Sequence, residues 1–413
     1  MRASIALQRV ATGAFPVRGD DHDKALGKLV RMRNSTSLDA LAGQYRLHPG
    51  CSPSIVGQRP VLGGGRLGHL LQGQQGEQVG RTLGSLFTLC AHAHRRMADM
   101  VLAAASELPQ AVAACEAPVM LLLETARDHL RNIALDWPQR LPEFGAGAPS
   151  MDWLRDCPLS LGTVRPPADA DAAWQALTAF RAWMESAVLQ QGVAQWLAEQ
   201  REPEALAQWC SAHAGRLLPA RCLAAWHPLA GHLRPPMRRL DLLDEDTTLQ
   251  TAQLRELAQT MAADADFVQR PTWRGQCAET GPWTRLRHRH AQQSIQTSAW
   301  TRLSVRWLEL MELAAADPGS EGPGGAALLA SGALHLGEGQ ALAWCEMARG
   351  LLLHWVQLDV KGAVQDYRVL APTEWNFHPD GSLAQTLAAL SPGDTAAART
   401  LASAFDPCVS CTV

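Results

Sequence analysis

Ten cysteines are spread along the 413-residue chain, and three of them have neighbours that suggest chemistry. Cys408-Val409-Ser410-Cys411 places two thiols in a CxxC pair, a spacing that serves a zinc ion, an iron–sulfur cluster or a reactive dithiol. A zinc site would want a second pair at similar spacing, and the sequence has none. A redox dithiol would sit on the strand-to-helix turn of a βαβ unit, whereas this pair closes the chain. The third is Cys90, followed one helical turn later by His94, so that both side chains share a helix face. Cys51, Cys115, Cys157, Cys210, Cys222, Cys277 and Cys345 are scattered singly and read as small buried apolar residues.

The elements that must position these thiols follow from periodicity. Apolar residues recur three and four apart from about 84 to 316, which predicts a set of long amphipathic helices. A Pro- and Gly-rich loop covers about 138–171, and Pro109 and the run 317–326 mark further breaks. From about 330 to 372 the pattern shifts to short β-leaning runs separated by turn residues, a small sheet. The stretch 393–413 reads as a last helix and the CxxC tail. Residues 1–80 are expected to be an irregular N-terminal segment. The LGGGRLG stretch there lacks the lysine and hydroxyl residue of a phosphate loop and reads as a turn. The fold class expected is mainly α with a small β-rich segment.

Composition narrows the function. Hydrophobic residues make up 47% and charged residues 19% of the chain, as in a globular protein with a sizeable core. A net charge of −3 gives no electrostatic case for nucleic acid or an anionic membrane. The basic run Arg287–His290 reads as a solvated helix start. With no apolar run long enough to span a bilayer and no secretory signal, the cytoplasm is the expected compartment.

Five stretches, in order, resemble one family. FDPCVSC is similar to the C-terminal D-P-C-x-x-C motif of nickel–iron hydrogenase large subunits. LCAHAH (Leu89–His94) resembles the family's N-terminal C-x-x-x-H segment, and ETGPWTR (Glu279–Arg285) its E-x-G-P-x-x-R stretch. MARGLLLHW (Met347–Trp355) resembles its P-R-G segment, and APTEWNF (Ala371–Phe377) its P-S/T-T-W-N segment. Together they cover roughly residues 84–413 and imply a hydrogenase large-subunit-like helical core over 81–413.

The resemblance implies a ligand set. In the family two CxxC pairs hold nickel and iron: the second cysteine of each pair bridges the metals and the first binds nickel alone. Cys90 then takes the second N-terminal position, and Cys408 and Cys411 the two C-terminal ones. The fourth position, three residues before Cys90, is Phe87, which has no donor atom. Nickel would be left with at most three thiolates and is not expected, since soft thiolates are what select it. Iron keeps both of its cysteines and, as a unit with two cyanides and a carbonyl, needs no nickel. His94, Arg349, Pro372 and Thr373 match the groups around the metals, Arg349 to offset charge and Thr373 to donate to a cyanide.

Two departures point the same way. No R-x-E-G-H segment is found near the N-terminus, and with Val413 as the last residue of the sequence no extension for a nickel-dependent protease is expected, and the tail is expected to be mobile. Such features resemble the truncated large-subunit relatives of the HupK/HoxV kind that act in maturation. The function implied is a scaffold that holds the iron–dicyano–carbonyl unit transiently and passes it to a hydrogenase large-subunit precursor, with chaperones of the HypC/HypD kind as partners. The alternatives are a divergent but active hydrogenase large subunit and a metal-free homologue that binds the chaperones.

Overall fold

Helices form where apolar side chains recur at helical spacing. The computed structural model describes residues 43–106, 118–141, 151–161, 167–200, 202–236, 238–243, 246–285, 297–318 and 328–413. Cys115, Pro109, the basic run 287–290 and most of the break at 317–326 lie outside the described residues. Residues Gly43–Val413 form one compact unit. The stretch from 43 to 80, expected to be irregular, carries two strands, β1 (Gln44–Leu47) and β2 (Ile55–Gln58), then α1 (Arg66–Leu71) and the first turn of α2 (Glu77–Leu86). α3 (Ala91–Ala105) follows after one 3-10 turn.

The helical layer is built around α10. It comprises α4 (Pro118–Arg131), α5 (Ala170–Trp183), α6 (Val193–Glu199), α7 (Pro203–His213), α8 (Leu218–Ala230), α9 (Thr247–Ala263) and α10 (Ala299–Ala314). α10 packs against α4, α5, α6 and α8. That position explains why Trp300, Leu303, Trp307 and Leu310, at helical spacing, are all buried, as packing rather than as a cofactor box. A capping box between Ser298 and Thr301 starts this helix, satisfying backbone donors that burial would otherwise orphan.

The sheet lies where the period changes. β3 (Ser331–Gly337), β4 (Gln340–Met347), β5 (Gly350–Leu358) and β6 (Val364–Leu370) form an antiparallel meander in that order. β4 and β5 are buried along nearly their whole length, so they read as continuous apolar runs rather than alternating ones. α3 lies against β3, β4 and β5. β4 and β5 are joined by the two-residue turn Ala348-Arg349, with Met347 paired to Gly350. Gly350 has φ +132, and a Cβ there would come within 2.7 Å of Thr280 Cγ2. Only glycine fits that close approach.

The chain ends with α11 (Pro372–Asn376), α12 (Ser382–Ala388), α13 (Thr395–Phe405) and β7 (Ser410–Thr412). Asp394 caps α13 through Ala397 N at 3.0 Å, and Asp406 ends it in the left-handed region at φ 45. β7 adds in parallel to β1, with Tyr45 opposite Cys411. The tail, expected to be mobile, is thus held as the third strand of a β2-β1-β7 sheet. The fold is mainly α with small sheets. Among the described residues no helix is long and apolar enough to cross a membrane.

Candidate metal centre

Cys90 sits where α2 gives way to α3. Its N–H donates to Phe87 O at 3.2 Å, closing the turn that makes it the N-cap of α3. The side chain is buried. Burial pushes its thiol well above the ordinary range, and the charges of Cys408, Glu124 and Asp128 add to this while Arg349 opposes them. Glu124 reaches across from α4 and accepts from His92 N and Ala93 N, both at 2.8 Å, so a carboxylate from a second helix satisfies the first-turn donors of α3. Burial nevertheless raises the Glu124 carboxyl to about 7.

His94 lies one turn into α3. Its Nδ1 is 3.0 Å from His354 Nε2 on β5, and His354 Nδ1 is 2.7 Å from the Tyr367 hydroxyl on β6. Burial holds both rings neutral, taking His354 down to about 3 and His94 well below its usual value; it also keeps the Tyr367 hydroxyl protonated. With Tyr367 donating to His354 Nδ1, His354 donates to His94 Nδ1. The His94 proton then resides on Nε2. The Phe87 ring stacks on His94 with centroids 4.0 Å apart and planes 15° from parallel. The Arg59 guanidinium lies over the same phenyl ring, 5.5 Å from its centroid.

Arg349, on the β4–β5 turn, is buried and pairs with Asp128 of α4; its Nε is 3.3 Å from Asp406 Oδ2. Burial opposes its charge, but Asp128, Asp406, Cys408 and Cys90 together raise its pKa further. Asp406 also accepts from Asn132 Nδ2 at 2.8 Å and lies 4.0 Å from Arg306. Although burial disfavours its charge, Arg349 and Arg306 hold its carboxyl below the usual range.

The tail cysteines differ in setting. Cys408 Sγ is 3.0 Å from Thr373 Oγ1, and its backbone N–H points to the same oxygen at 3.5 Å. Thr373 is presented by α11, which Pro372 starts from the first helical position, where its fixed φ and missing N–H cost nothing. Glu374, next along, pairs with Arg59 at 3.5 Å. Cys411 is half-buried on β7, and burial raises its thiol to about 11 with Arg140 in opposition. Tyr45, its cross-strand partner, is kept neutral first by burial and then by Glu374; Arg59, Cys408 and Cys411 also act on it.

The structure therefore gathers Cys90, Cys408, Thr373, Arg349 and His94 around one buried neighbourhood, with Cys411 joined to it through β1. Among the described residues no three His, Cys, Asp or Glu side chains already converge at metal-binding distances. Sequence reasoning missed Arg59, Glu124, Asp128, His354, Tyr367, Glu374 and Asp406. His354, Glu374 and Asp406 stood inside stretches already singled out; Arg59 carried no local signal. Of the cysteines expected to be buried, Cys51 is exposed, because it lies in the loop between β1 and β2. Cys157 is half-buried, and Cys277 is more than packing, with Sγ 3.1 Å from His378 Nδ1.

Residues 330–413 match the nickel-dependent hydrogenase family. Over almost its whole length the chain is similar to the hydrogenase expression/formation protein HoxV of Cupriavidus necator, at 39% identity over 92% of this chain and 97% of that one. It belongs to the hydrogenase expression/formation protein family. The HupK protein of Azotobacter vinelandii is 31% identical over 86% of this chain and 91% of its own. Among solved structures, an NAD+-reducing [NiFe]-hydrogenase chain aligns over 83% of this chain and 89% of its own, at 16% identity and a TM-score of 0.44. In this member of the expression/formation family, the segment that matches the hydrogenase model carries the sheet, Arg349, Pro372, Thr373 and both tail cysteines.

Proposed function

We propose that this expression/formation protein is an assembly scaffold and not a hydrogenase: it receives an iron–dicyano–carbonyl unit as cargo and passes it to a hydrogenase large-subunit precursor. Chaperones of the HypC/HypD kind are the donors in this reading. The observation that carries it is the treatment of the two pairs of positions. Cys90 and Cys411, the two positions that would touch iron, are both present, Cys90 beside the buried Arg349 guanidinium, while a nickel-only position is a phenyl ring packed on His94.

The chemistry of the donor set fits such cargo. Thiolates suit iron of this kind. A unit carrying two thiolates and two cyanides is dianionic, and Arg349 and Arg59 offer buried positive charge beside it. Cys90 and Cys411 are the proposed iron thiolates, with Cys408 as the nearby third. The raised thiol of Cys90 means that loading must displace a proton, so capture weakens as pH falls. The tail strand, exposed at Ser410 and Thr412, is the route of entry and release in this reading, since β7 holds only three residues against one partner strand.

The test is metal analysis of protein purified anaerobically after co-production with the maturation machinery. Iron near one per chain without nickel supports the reading. Stoichiometric nickel with hydrogen uptake would favour a working hydrogenase, and protein free of both metals would favour a partner-binding homologue.

A further inference from the structure

We infer that Arg59 is a cargo-binding residue, a second cationic hydrogen-bond donor that, with Arg349, recognises the anionic diatomic ligands of the iron unit. The inference rests on the scaffold reading and adds to it a residue from the N-terminal part of the chain, outside every stretch that resembles the catalytic subunits.

Arg59 follows β2 and is buried, with 5% of its surface exposed. Two contacts pin its guanidinium between the cysteine-bearing turns. On one side it lies over Phe87, whose carbonyl accepts from Cys90 N. On the other it meets Glu374 at 3.5 Å, one residue from Thr373, whose hydroxyl touches Cys408 Sγ. A group fixed to the Cys90 turn and to the neighbour of the Cys408 contact lies between the two, close enough that both thiols act on its charge.

The same guanidinium is under-used. Its NH1 contacts to both Glu374 oxygens are long, at 3.5 Å, and its buried Nε has no hydrogen-bond partner among the described residues. An unsatisfied buried N–H on a cation costs free energy. Such a group in a native site points to a missing acceptor. Burial disfavours the Arg59 charge, and Cys408 and Glu374, with Tyr45 and Cys90, more than compensate. A cyanide nitrogen on iron is an acceptor of the required charge and size, and a planar fork can serve it better than an ammonium can.

This gives Phe87 a positive role. Its ring is stacked on His94 and carries Arg59; a cysteine in that place would support neither. The position that loses a nickel ligand becomes a platform for an iron-ligand donor.

Arg59→Lys and Arg59→Gln, each co-produced with the maturation machinery, test the inference by infrared spectroscopy, with thermal unfolding of the metal-free proteins as the folding control. Arg59→Gln should lose at least tenfold in cyanide and carbonyl band intensity. Arg59→Lys should keep part of that intensity with displaced cyanide bands, because a point charge replaces the fork. Should Arg59→Gln fail to fold, the Arg59→Lys band positions decide. Wild-type intensities and frequencies in the folded variants would overturn the role of Arg59 and leave the scaffold reading standing. Parent protein without any such bands would overturn the scaffold reading itself, and this inference with it.

Discussion

Replacing Arg349 with Met removes the cation on which two buried carboxylates depend. Asp128 and Asp406 are 7% and 4% exposed, and Arg349 pairs with both. Asp406 keeps Asn132 and the more distant Arg306, so the loss falls mainly on Asp128. Breaking a buried ion pair from one side costs about 3–5 kcal/mol, because the other charge stays buried and uncompensated. That is a large part of a typical stability of about 5–15 kcal/mol. With a urea slope of about 3 kcal/mol per M, the midpoint of the metal-free protein should fall by about 1–1.7 M, as read by tryptophan fluorescence. Arg349→Met combined with Asp128→Asn removes both charges and should recover about half of the loss, since a neutral pair is cheaper to bury than one stranded charge. A single variant within about 1 kcal/mol of the parent, or a double variant worse than the single, would refute the assignment of Arg349 as the charge that holds this neighbourhood together.

Phe87→Cys restores a four-thiolate set and should bind nickel more tightly than the parent in anaerobic titration, at a stability cost of roughly 3 kcal/mol from the lost ring; equal nickel affinities would place the exclusion elsewhere. Acidification should destabilise the metal-free protein through His354, whose pKa is depressed from 6.5 to about 3. The unfolded chain takes up that proton first, so stability present above 6.5 is lost as pH falls toward 3, by about 1.4 kcal/mol per pH unit. Glu124, raised to about 7, works in the opposite sense between 4.5 and 7. The difference in slope between the parent and His354→Gln isolates the histidine, and identical slopes would contradict its neutral burial. Gly350→Ala should cost upwards of ~2 kcal/mol in the same urea assay, since φ +132 and the Thr280 contact both exclude a Cβ; a neutral result would mean that the β4–β5 turn relaxes freely.

The helices and the small sheet were legible from their apolar patterns: Trp300, Leu303, Trp307 and Leu310 recur at helical spacing in α10, although that helix is buried on nearly every side, and β4 and β5 show almost unbroken buried runs. The cysteines and Arg349 were legible as motif residues. Arg59 was not, because its role depends on a contact across the fold with Glu374, more than three hundred positions away. β1 and β7 were missed for a similar reason. Each is three or four residues long, too short to show alternation, and their pairing joins nearly opposite ends of the described chain. Glu124 read as one more polar residue on an amphipathic helix, and only the packing of α3 on α4 turns it into a cap.

Infrared spectroscopy of the protein co-produced with the maturation machinery tests the scaffold reading most directly. The account expects cyanide and carbonyl stretching bands on the parent, abolished by Cys90→Ala or Cys411→Ala and reduced less by Cys408→Ala. Bands that survive both of the first two substitutions, or a parent that never shows them, would contradict it.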